Sequence, residues 1–243
     1  MNQTKLVYME DMQLLEAEAY VESVEQKDDK TIVYLDKTIF YPQGGGQPYD
    51  TGTMTAGNIV FTVEEVRYSE GAVQHIGHFS GGRFMNDETV ICKVDAGRRA
   101  LHTRLHSGGH VLDMAVNELG YTWKPGKAYH FPDGPYVEYQ ADLNGEASEE
   151  IIEKLNAKMA EILSRGITTE IKFVTREEMA KLCRHIPENL PKDKPSRVVL
   201  YGDFGVPCGG THVKELSDIG HLEIRKIKDK AGTLRVSYEI SNN

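Results

Sequence analysis

The chain has 243 residues, a formal net charge of −9 and three cysteines. Its length is enough for two domains with separate cores. An odd number of cysteines without close pairing excludes a disulfide framework, and no stretch approaches the roughly 20 apolar residues that span a bilayer. The N-terminus is acidic and lacks the basic and apolar regions of a secretory signal. We therefore expect a soluble, cytoplasmic protein without a membrane partner.

The negative charge is confined to the first part of the chain. Residues 1–95 carry 7 Lys and Arg against 16 Asp and Glu, whereas residues 96–243 carry 21 of each. A negative protein is a poor partner for nucleic acid, because affinity for phosphate comes from Lys and Arg. The neutral second part nevertheless contains a basic cluster, formed by Arg225, Lys226, Lys228, Lys230 and Arg235. This cluster fits either phosphate contacts or an ordinary solvated strand face.

Residues 5–94 consist of short alternating or β-branched runs separated by Gly and Asp turns. Closely spaced strands without helices between them predict a small antiparallel β-barrel. One connection in this region, Phe40–Asp50, contains three consecutive glycines with Gln43 and Gln47 at their ends. Such a loop lets its backbone amides and the two glutamines approach a ligand closely.

After residue 95 the pattern becomes helical. Residues 98–119 predict one helix, ended by Gly120, and Ser148 is the expected N-cap of a second helix with one apolar face. Thr175 and Glu178 form a capping-box pattern that begins a third helix.

Strand-like runs alternate with these helices, at 137–141, 168–174, 197–200, 221–227 and 234–240. The second part is therefore predicted to be α+β, a sheet packed against helices. The predicted domains are 1–95, barrel-like with the glycine-rich loop, and 96–243.

Two separate pairs of metal-ligand residues stand out in the second part. His106 and His110 lie four apart on the first predicted helix, so their side chains point the same way. Cys208 and His212 lie four apart in a glycine-rich loop that can close on them from across the fold. Imidazole nitrogens and a thiolate together suit Zn²⁺. Because His102 also precedes His106 by four residues, spacing alone allows either histidine pair.

Four segments together resemble the editing domain of alanyl-tRNA synthetase and its free-standing relatives, the AlaX proteins. They are Phe40–Pro48, Val94–Arg99, His106–Leu112 and Pro207–Val213, in that order along the chain. In the family the histidine pair follows the Val-Asp and Arg-Arg residues at a spacing that lands on His106 and His110. The resemblance therefore implies that His102 is not a metal ligand.

The resemblance implies a zinc-dependent aminoacyl-tRNA deacylase that acts in trans on tRNA(Ala) mischarged chiefly with Ser and secondly with Gly. It implies His106, His110 and Cys208 as zinc ligands, with His212 either a fourth ligand or a nearby polar group. Gln43 and Thr211 are the candidate catalytic residues, which would discriminate a serine hydroxyl.

Other functions fit the same residues. The editing module of threonyl-tRNA synthetase shares both metal pairs and would act on Ser-tRNA(Thr), although the glycine-rich loop favours the alanyl type. A non-catalytic, zinc-stabilised tRNA-binding module and a metal-dependent hydrolase of small esters are further alternatives.

The sequence departs from the synthetase pattern at two places. Residues 121–131 replace the segment that holds a substrate-facing Gln in the synthetase. The histidine in these residues, His130, is expected to be exposed on a loop. Gly108 and Gly109 stand where bulkier residues are usual. They leave room either for a substrate or for tight packing of the helix.

Overall fold

The computed structural model describes residues 3–188, 190 and 194–241. The chain forms two compact units, Met1–Leu101 and His102–Asn243. The fold is α+β, as the sequence predicts, with a closed barrel in the first unit and helices with open sheets in the second. The domain limits 1–95 and 96–243 stay a prediction. Within the described ranges, none of the helices combines the length and apolarity needed to cross a bilayer.

The first unit is built around an antiparallel barrel, which confirms the prediction from its short strands. Six strands close it in the order β2-β3-β7-β6-β5-β8, and β1 pairs with β4 in parallel beside it. The strands are β1 (Lys5–Leu6), β2 (Glu16–Lys27), β3 (Lys30–Leu35), β4 (Lys37–Thr38), β5 (Gly52–Ala56), β6 (Ile59–Ser69), β7 (Ala72–Ser80) and β8 (Thr89–Val94). Side chains of β8 alternate between exposed and buried, as expected for a barrel wall with one face in the core.

Helix α1 (Ala96–Glu118) begins at a buried ion pair in the first unit. The Arg99 guanidinium donates to both Asp50 carboxylate oxygens, at 3.0 and 3.1 Å from Nε, and to the carbonyls of Met12 and Ile39. Only 3% of Arg99 and none of Asp50 is exposed. A buried charge is tolerated when it is paired and its remaining hydrogen bonds are made. Arg99, at the end of the segment Val94–Arg99, therefore has a structural role.

The second unit contains two sheets instead of the single sheet that the sequence predicts. The larger has the order β14-β15-β10-β9 and the smaller β11-β12-β13. The elements that follow α1 are β9 (Lys124–Tyr129), β10 (Tyr136–Gln140), α2 (Ser148–Leu163), β11 (Thr169–Val174), α3 (Arg176–Leu182), β12 (Ser196–Tyr201), β13 (Phe204–Pro207), β14 (His221–Asp229) and β15 (Thr233–Ser241). Strand β9 has no apolar alternation in its sequence and was not predicted.

Helix α2 packs its apolar face against the larger sheet. Ile151, Leu155, Met159 and Ile162 are completely buried, as the spacing predicts. The predicted N-cap was wrong by one residue, since Ala147 occupies that position and makes no side-chain cap. The capping box of α3 is confirmed, because the Thr175 side chain accepts from the Glu178 amide and the Glu178 carboxylate accepts from the Thr175 amide.

A buried histidine in the barrel makes the stability of the first unit depend on pH. The His75 ring lies 2.8 Å from Thr38 Oγ1 and 2.9 Å from the Val33 carbonyl oxygen. Burial lowers the pKa of His75 to about 4, although the Val33 carbonyl opposes the shift. An unfolded histidine titrates near 6.5, so between pH 6.5 and 4 the unfolded state binds more protons than the folded state. The stability of the fold therefore decreases as the pH is lowered through this range.

We expect this residue alone to remove about 3 kcal/mol from the free energy of unfolding between pH 7 and pH 4. His75→Gln should weaken the pH dependence by that amount in urea unfolding followed by circular dichroism. His78→Gln changes an exposed histidine on the same strand and is the matched control. A wild-type pH profile in the His75→Gln protein would show that this histidine is not the source.

Candidate metal centre

Helix α1 presents His106 and His110 on one buried face. The two rings lie 5.0 Å apart between centroids with an interplanar angle of 25°. His106 is 2% exposed and His110 is 7% exposed. Neither ring nitrogen of His110 has a hydrogen-bond partner among the described residues, which is costly for a buried polar group. Nitrogen atoms in that condition are suited to bind a metal ion.

The loop after β13 supplies the other pair. Arg197 of β12 donates from Nη1 to the carbonyl oxygens of Cys208 at 2.7 Å and Gly210 at 2.9 Å. The amide of Gly210 lies 3.4 Å from Cys208 Sγ. The buried guanidinium therefore fixes the loop by its backbone. No local sequence pattern predicts this role of Arg197.

The two pairs converge into one cluster. One ligand atom from each of His106, His110, Cys208 and His212 lies within 4.8 Å of the others. Cys208 Sγ is 3.4 Å from His106 Nε2 and 3.3 Å from His212 Nε2. With metal–nitrogen and metal–sulfur bonds of about 2.0 and 2.3 Å, a tetrahedral site has an N···S edge of about 3.5 Å. These two edges match a tetrahedral site, and the cluster could hold a metal ion.

Hydrogen bonds from neighbouring side chains orient the ligands. Tyr201 lies 3.0 Å from His212 Nδ1, which leaves Nε2 of this ring for the cluster. Ser107 Oγ accepts from the amide of Val213 at 3.0 Å and thereby ties the loop to α1. The Asp113 carboxylate is 3.6 Å from His110 Nδ1, too far for a hydrogen bond but close enough to attract a positive ring. Outer partners of this kind fix ring orientation in metal sites.

The pKa values of the cluster follow from burial and from mutual charge. Burial lowers the pKa of His106 and of His212 well below the usual value, and neighbouring positive charge lowers both further. Burial raises the pKa of the Cys208 thiol, but His110, the Gly210 amide and Arg197 lower it by more, so the net shift is downward. Neutral imidazoles and a thiolate are the forms that ligate metals.

His110 is the exception within the cluster. Burial lowers the pKa of its ring, but the Asp113 carboxylate and the Cys208 thiolate raise it by more, to about 9. Its positive charge balances the thiolate. A divalent metal ion would take over that role in the buried site.

The remaining residues singled out from the sequence are placed as follows. His102 is buried and does not belong to the cluster. Thr211 is completely buried and its Oγ1 is 2.8 Å from Thr103 Oγ1. Gln43 is exposed in the first unit, where its backbone amide donates to the Val66 carbonyl at 3.2 Å. The roles predicted for Gln43 and Thr211 remain predictions.

His130 was expected on an exposed loop, and this expectation was wrong. The residue is 3% exposed and its ring stacks on His106 with centroids 4.5 Å apart. Burial first, and then the charge of His110, lower the pKa of His130 to about 3. Its Nδ1 is 2.6 Å from the Tyr238 hydroxyl, which itself donates to the Leu105 carbonyl. His130 therefore donates from Nδ1 and supports the His106 ring.

The two glycines between the histidine ligands serve packing. A Cβ at Gly109 would lie 2.4 Å from His130 Cε1, and a Cβ at Gly108 would lie 3.3 Å from Leu222 Cδ1. Gly109 thus provides the space that the His130 ring occupies. The glycine was the only sequence signal that a bulky group approaches the helix at this point.

Comparisons with known proteins match both parts of the chain. The family described as tRNA synthetases class II (A) matches residues 2–98. The family described as the threonyl and alanyl tRNA synthetase second additional domain matches residues 196–236, which include the Cys208–His212 loop.

Several characterised proteins are similar to the chain over most of its length. Alanyl-tRNA editing protein AlaX-M of Pyrococcus horikoshii is 33% identical over 232 residues, which cover 93% of this chain and 92% of that protein. AlaX-L of the same organism is 32% identical and covers 94% and 55%. The alanine–tRNA ligase of Methanobrevibacter smithii is 30% identical and covers 92% and 25%. The chain thus spans about half of AlaX-L and a quarter of the ligase.

Gly109→Ala should destabilise the protein by about 1–3 kcal/mol, the usual cost of overpacking, because Tyr238 holds the His130 ring in place. Gly97→Ala is the matched control in the same helix, since its Cβ would meet only Asp95 Oδ1 at 3.5 Å. There we expect no loss, and a gain of up to about 1 kcal/mol from helix propensity. Urea unfolding of both variants measures the difference, and equal stability would exclude a steric role of Gly109.

Proposed function

The chain belongs to the alanyl-tRNA editing family of AlaX proteins, and we propose that it is a zinc-dependent deacylase that removes Ser, and secondly Gly, from mischarged tRNA(Ala). The observation that carries the proposal is the convergence of His106, His110, Cys208 and His212 within 4.8 Å. An aminoacyl ester is already activated, so the enzyme must mainly position it beside a water molecule.

Zinc is the metal that best fits the donor set. Three imidazoles and one thiolate are borderline-soft ligands, and the N···S separations of 3.3 and 3.4 Å agree with tetrahedral coordination. His106, His110 and Cys208 would hold the ion, with His212 either a fourth ligand or a nearby polar group. Zinc would supply Lewis acidity for polarising the ester only with a coordination position open, that is, with His212 outside the ligand set.

The chain's own residues would position the reacting groups. Tyr201 orients the His212 ring through a hydrogen bond, and the Asp113 carboxylate attracts the His110 ring. The buried Thr211 hydroxyl, next to His212 in the sequence, is hydrogen-bonded to Thr103. We assign Thr211 to recognition of the serine hydroxyl, and Gln43, in the first unit, keeps the role predicted for it from the sequence. The Gln43 side chain has no partner within the described part of the chain, which leaves its amide available to a substrate.

The basic cluster supports a tRNA partner. Arg225 pairs with Glu239 at 3.8 Å and Arg235 pairs with Glu138 at 2.6 Å. Lys226, Lys228 and Lys230 are exposed, and no ion pair to them occurs among the described residues. Lysines without a protein partner are available to contact phosphates.

The first test is hydrolysis of charged tRNA. We expect rapid release of Ser from Ser-tRNA(Ala), slower release of Gly from Gly-tRNA(Ala), and little from Ala-tRNA(Ala) or Ser-tRNA(Thr). His106→Ala and Cys208→Ala should lose zinc and more than about 100-fold of the activity, since even changes around a metal's ligands cost roughly 10–100-fold.

His102→Gln is the control, because this buried histidine lies on the same helix outside the cluster and Gln preserves much of its volume. It should retain zinc and most of the activity. Full activity in zinc-free Cys208→Ala protein would refute the proposal. Zinc-loaded protein that cleaves none of the esters would favour the non-catalytic tRNA-binding module, and preferential cleavage of Ser-tRNA(Thr) would favour threonyl-type editing.

Phosphate contacts predict a dependence on salt. Replacing Lys226, Lys228 and Lys230 together by Gln should weaken tRNA binding and reduce the slope of log Kd against log[salt] by roughly 0.7–0.9 per lysine that contacts a phosphate. Binding is measured by fluorescence anisotropy at several salt concentrations. Replacement of the ion-paired Arg225 by Gln is the comparison, with a smaller expected effect. Identical slopes for wild type and the triple variant would place the tRNA elsewhere.

A further inference from the structure

A cavity of about 340 Å³ opens in the second unit beside the metal cluster and outside the set of ligands. Its volume lies within the range of about 300–1,000 Å³ that is usual for ligand pockets. The walls come from the C-terminal half of α1, from β9, β10 and β13, and from residues that follow α3. The metal chemistry of the proposed function does not use this cavity.

The apolar wall of the cavity is largely aromatic. Trp123 lines it with Tyr139 and Phe204. Tyr121 stacks on the Trp123 ring, with centroids 4.6 Å apart, and fixes its position. Only 6% of Trp123 is exposed. Its indole Nε1–H could donate to an acceptor on a ligand in the cavity, because Trp123 lines the cavity wall.

The polar wall of the cavity is mainly cationic. Lys124, Arg184 and His185 line it. Arg184 is held in place through the Asn117 side chain and through the Tyr121 carbonyl, which accepts at 3.2 Å. Lys124 forms no ion pair with the described residues, so its charge is available for an anion, and the His185 ring adds a polar edge to this wall. The one carboxylate, Asp113, already accepts from the Tyr139 hydroxyl at 2.7 Å.

Aromatic and apolar surface beside cationic side chains is the chemistry that binds an unpaired nucleotide. Bases are bound by stacking and by apolar contact, and phosphates by Lys and Arg. A carboxylate such as Asp113 can accept from a ribose hydroxyl. A purely apolar ligand would leave the cationic wall unused, and inorganic phosphate would leave the aromatic wall unused.

The cavity shares a wall with the metal cluster. Asp113 lines the cavity and lies 3.6 Å from the ligand His110, and Pro207 lines it directly before the ligand Cys208. An aminoacyl ester is attached to the single-stranded 3′ end of a tRNA, so nucleotides of that end must lie next to the site of hydrolysis. We propose that the cavity binds an unpaired nucleotide of the tRNA 3′ end, an inference that rests on the proposed function.

The protein contains a single tryptophan, so fluorescence reports directly on this cavity. Zinc-loaded protein is titrated with AMP, with the uncharged RNA tetranucleotide ACCA, and with inorganic phosphate. We expect a saturable change in Trp123 emission with both nucleotides, at least tenfold tighter for ACCA, and none with phosphate. No response to ACCA would overturn the proposal. A response to AMP that ACCA does not share would also overturn it, in favour of a site for a free mononucleotide.

Variants of the wall test whether the charged tRNA uses the cavity. Val206→Phe fills the cavity and should raise KM for Ser-tRNA(Ala) at least tenfold, with kcat within twofold and zinc content unchanged. Lys124→Ala should raise KM about threefold to tenfold. Lys127→Ala is its matched control, because Lys127 is exposed on the same strand and does not line the cavity. Equal KM values for wild type and Val206→Phe would overturn the proposal.

The two experiments separate this inference from the proposed function. In one outcome the wild type deacylates Ser-tRNA(Ala), Trp123 emission does not change with ACCA, and Val206→Phe has the wild-type KM. This outcome would support the proposed function and refute the nucleotide site. A Trp123 response to ACCA, abolished by Val206→Phe, in a protein that cleaves no ester would keep the nucleotide site and remove the deacylase.

Discussion

The candidate metal cluster depends on the buried guanidinium of Arg197. The loop that carries Cys208 and His212 turns its carbonyls inward, where an unpaired carbonyl costs roughly 1–3 kcal/mol. Arg197 prevents this cost by donating hydrogen bonds to the carbonyls of Cys208 and Gly210. With His110 and the Gly210 amide, its positive charge also lowers the pKa of the Cys208 thiol. A single residue on β12 thus fixes the loop and favours the thiolate, so the rest of the site can be assembled against a rigid pair of ligands.

On the other side of the cluster, several residues of the α1 segment His106–Leu112 have separate structural roles. His106 and His110 face the loop, Ser107 accepts its Val213 amide, and Gly109 leaves space for the His130 ring. That ring then stacks on His106 and is held through Tyr238 by the backbone of the helix itself. The motif therefore specifies both the ligands and the packing that keeps them in one orientation.

Features with a local signature could be predicted from the sequence, and features that arise from distant pairing could not. The barrel strands, the apolar face of α2 and the capping box at Thr175 follow from spacing over a few residues. For the histidines, spacing alone allowed either His102 and His106 or His106 and His110. His130 became buried because β9 pairs with β10 and brings the following residue under Gly109, a register that no short pattern encodes. The division into two sheets has the same origin, since it is set by which strands pair.

Net charge was the least informative property of this sequence. A value of −9 argues against RNA as a partner, yet the excess negative charge belongs to residues 1–95. The second part is neutral and contains the candidate metal cluster and the basic cluster. What matters for phosphate is which cations lack a protein partner. Arg225 and Arg235 are paired, whereas Lys226, Lys228 and Lys124 have no ion pair among the described residues. Attraction between charges is screened over about 8–10 Å in physiological salt, so this local availability outweighs the total.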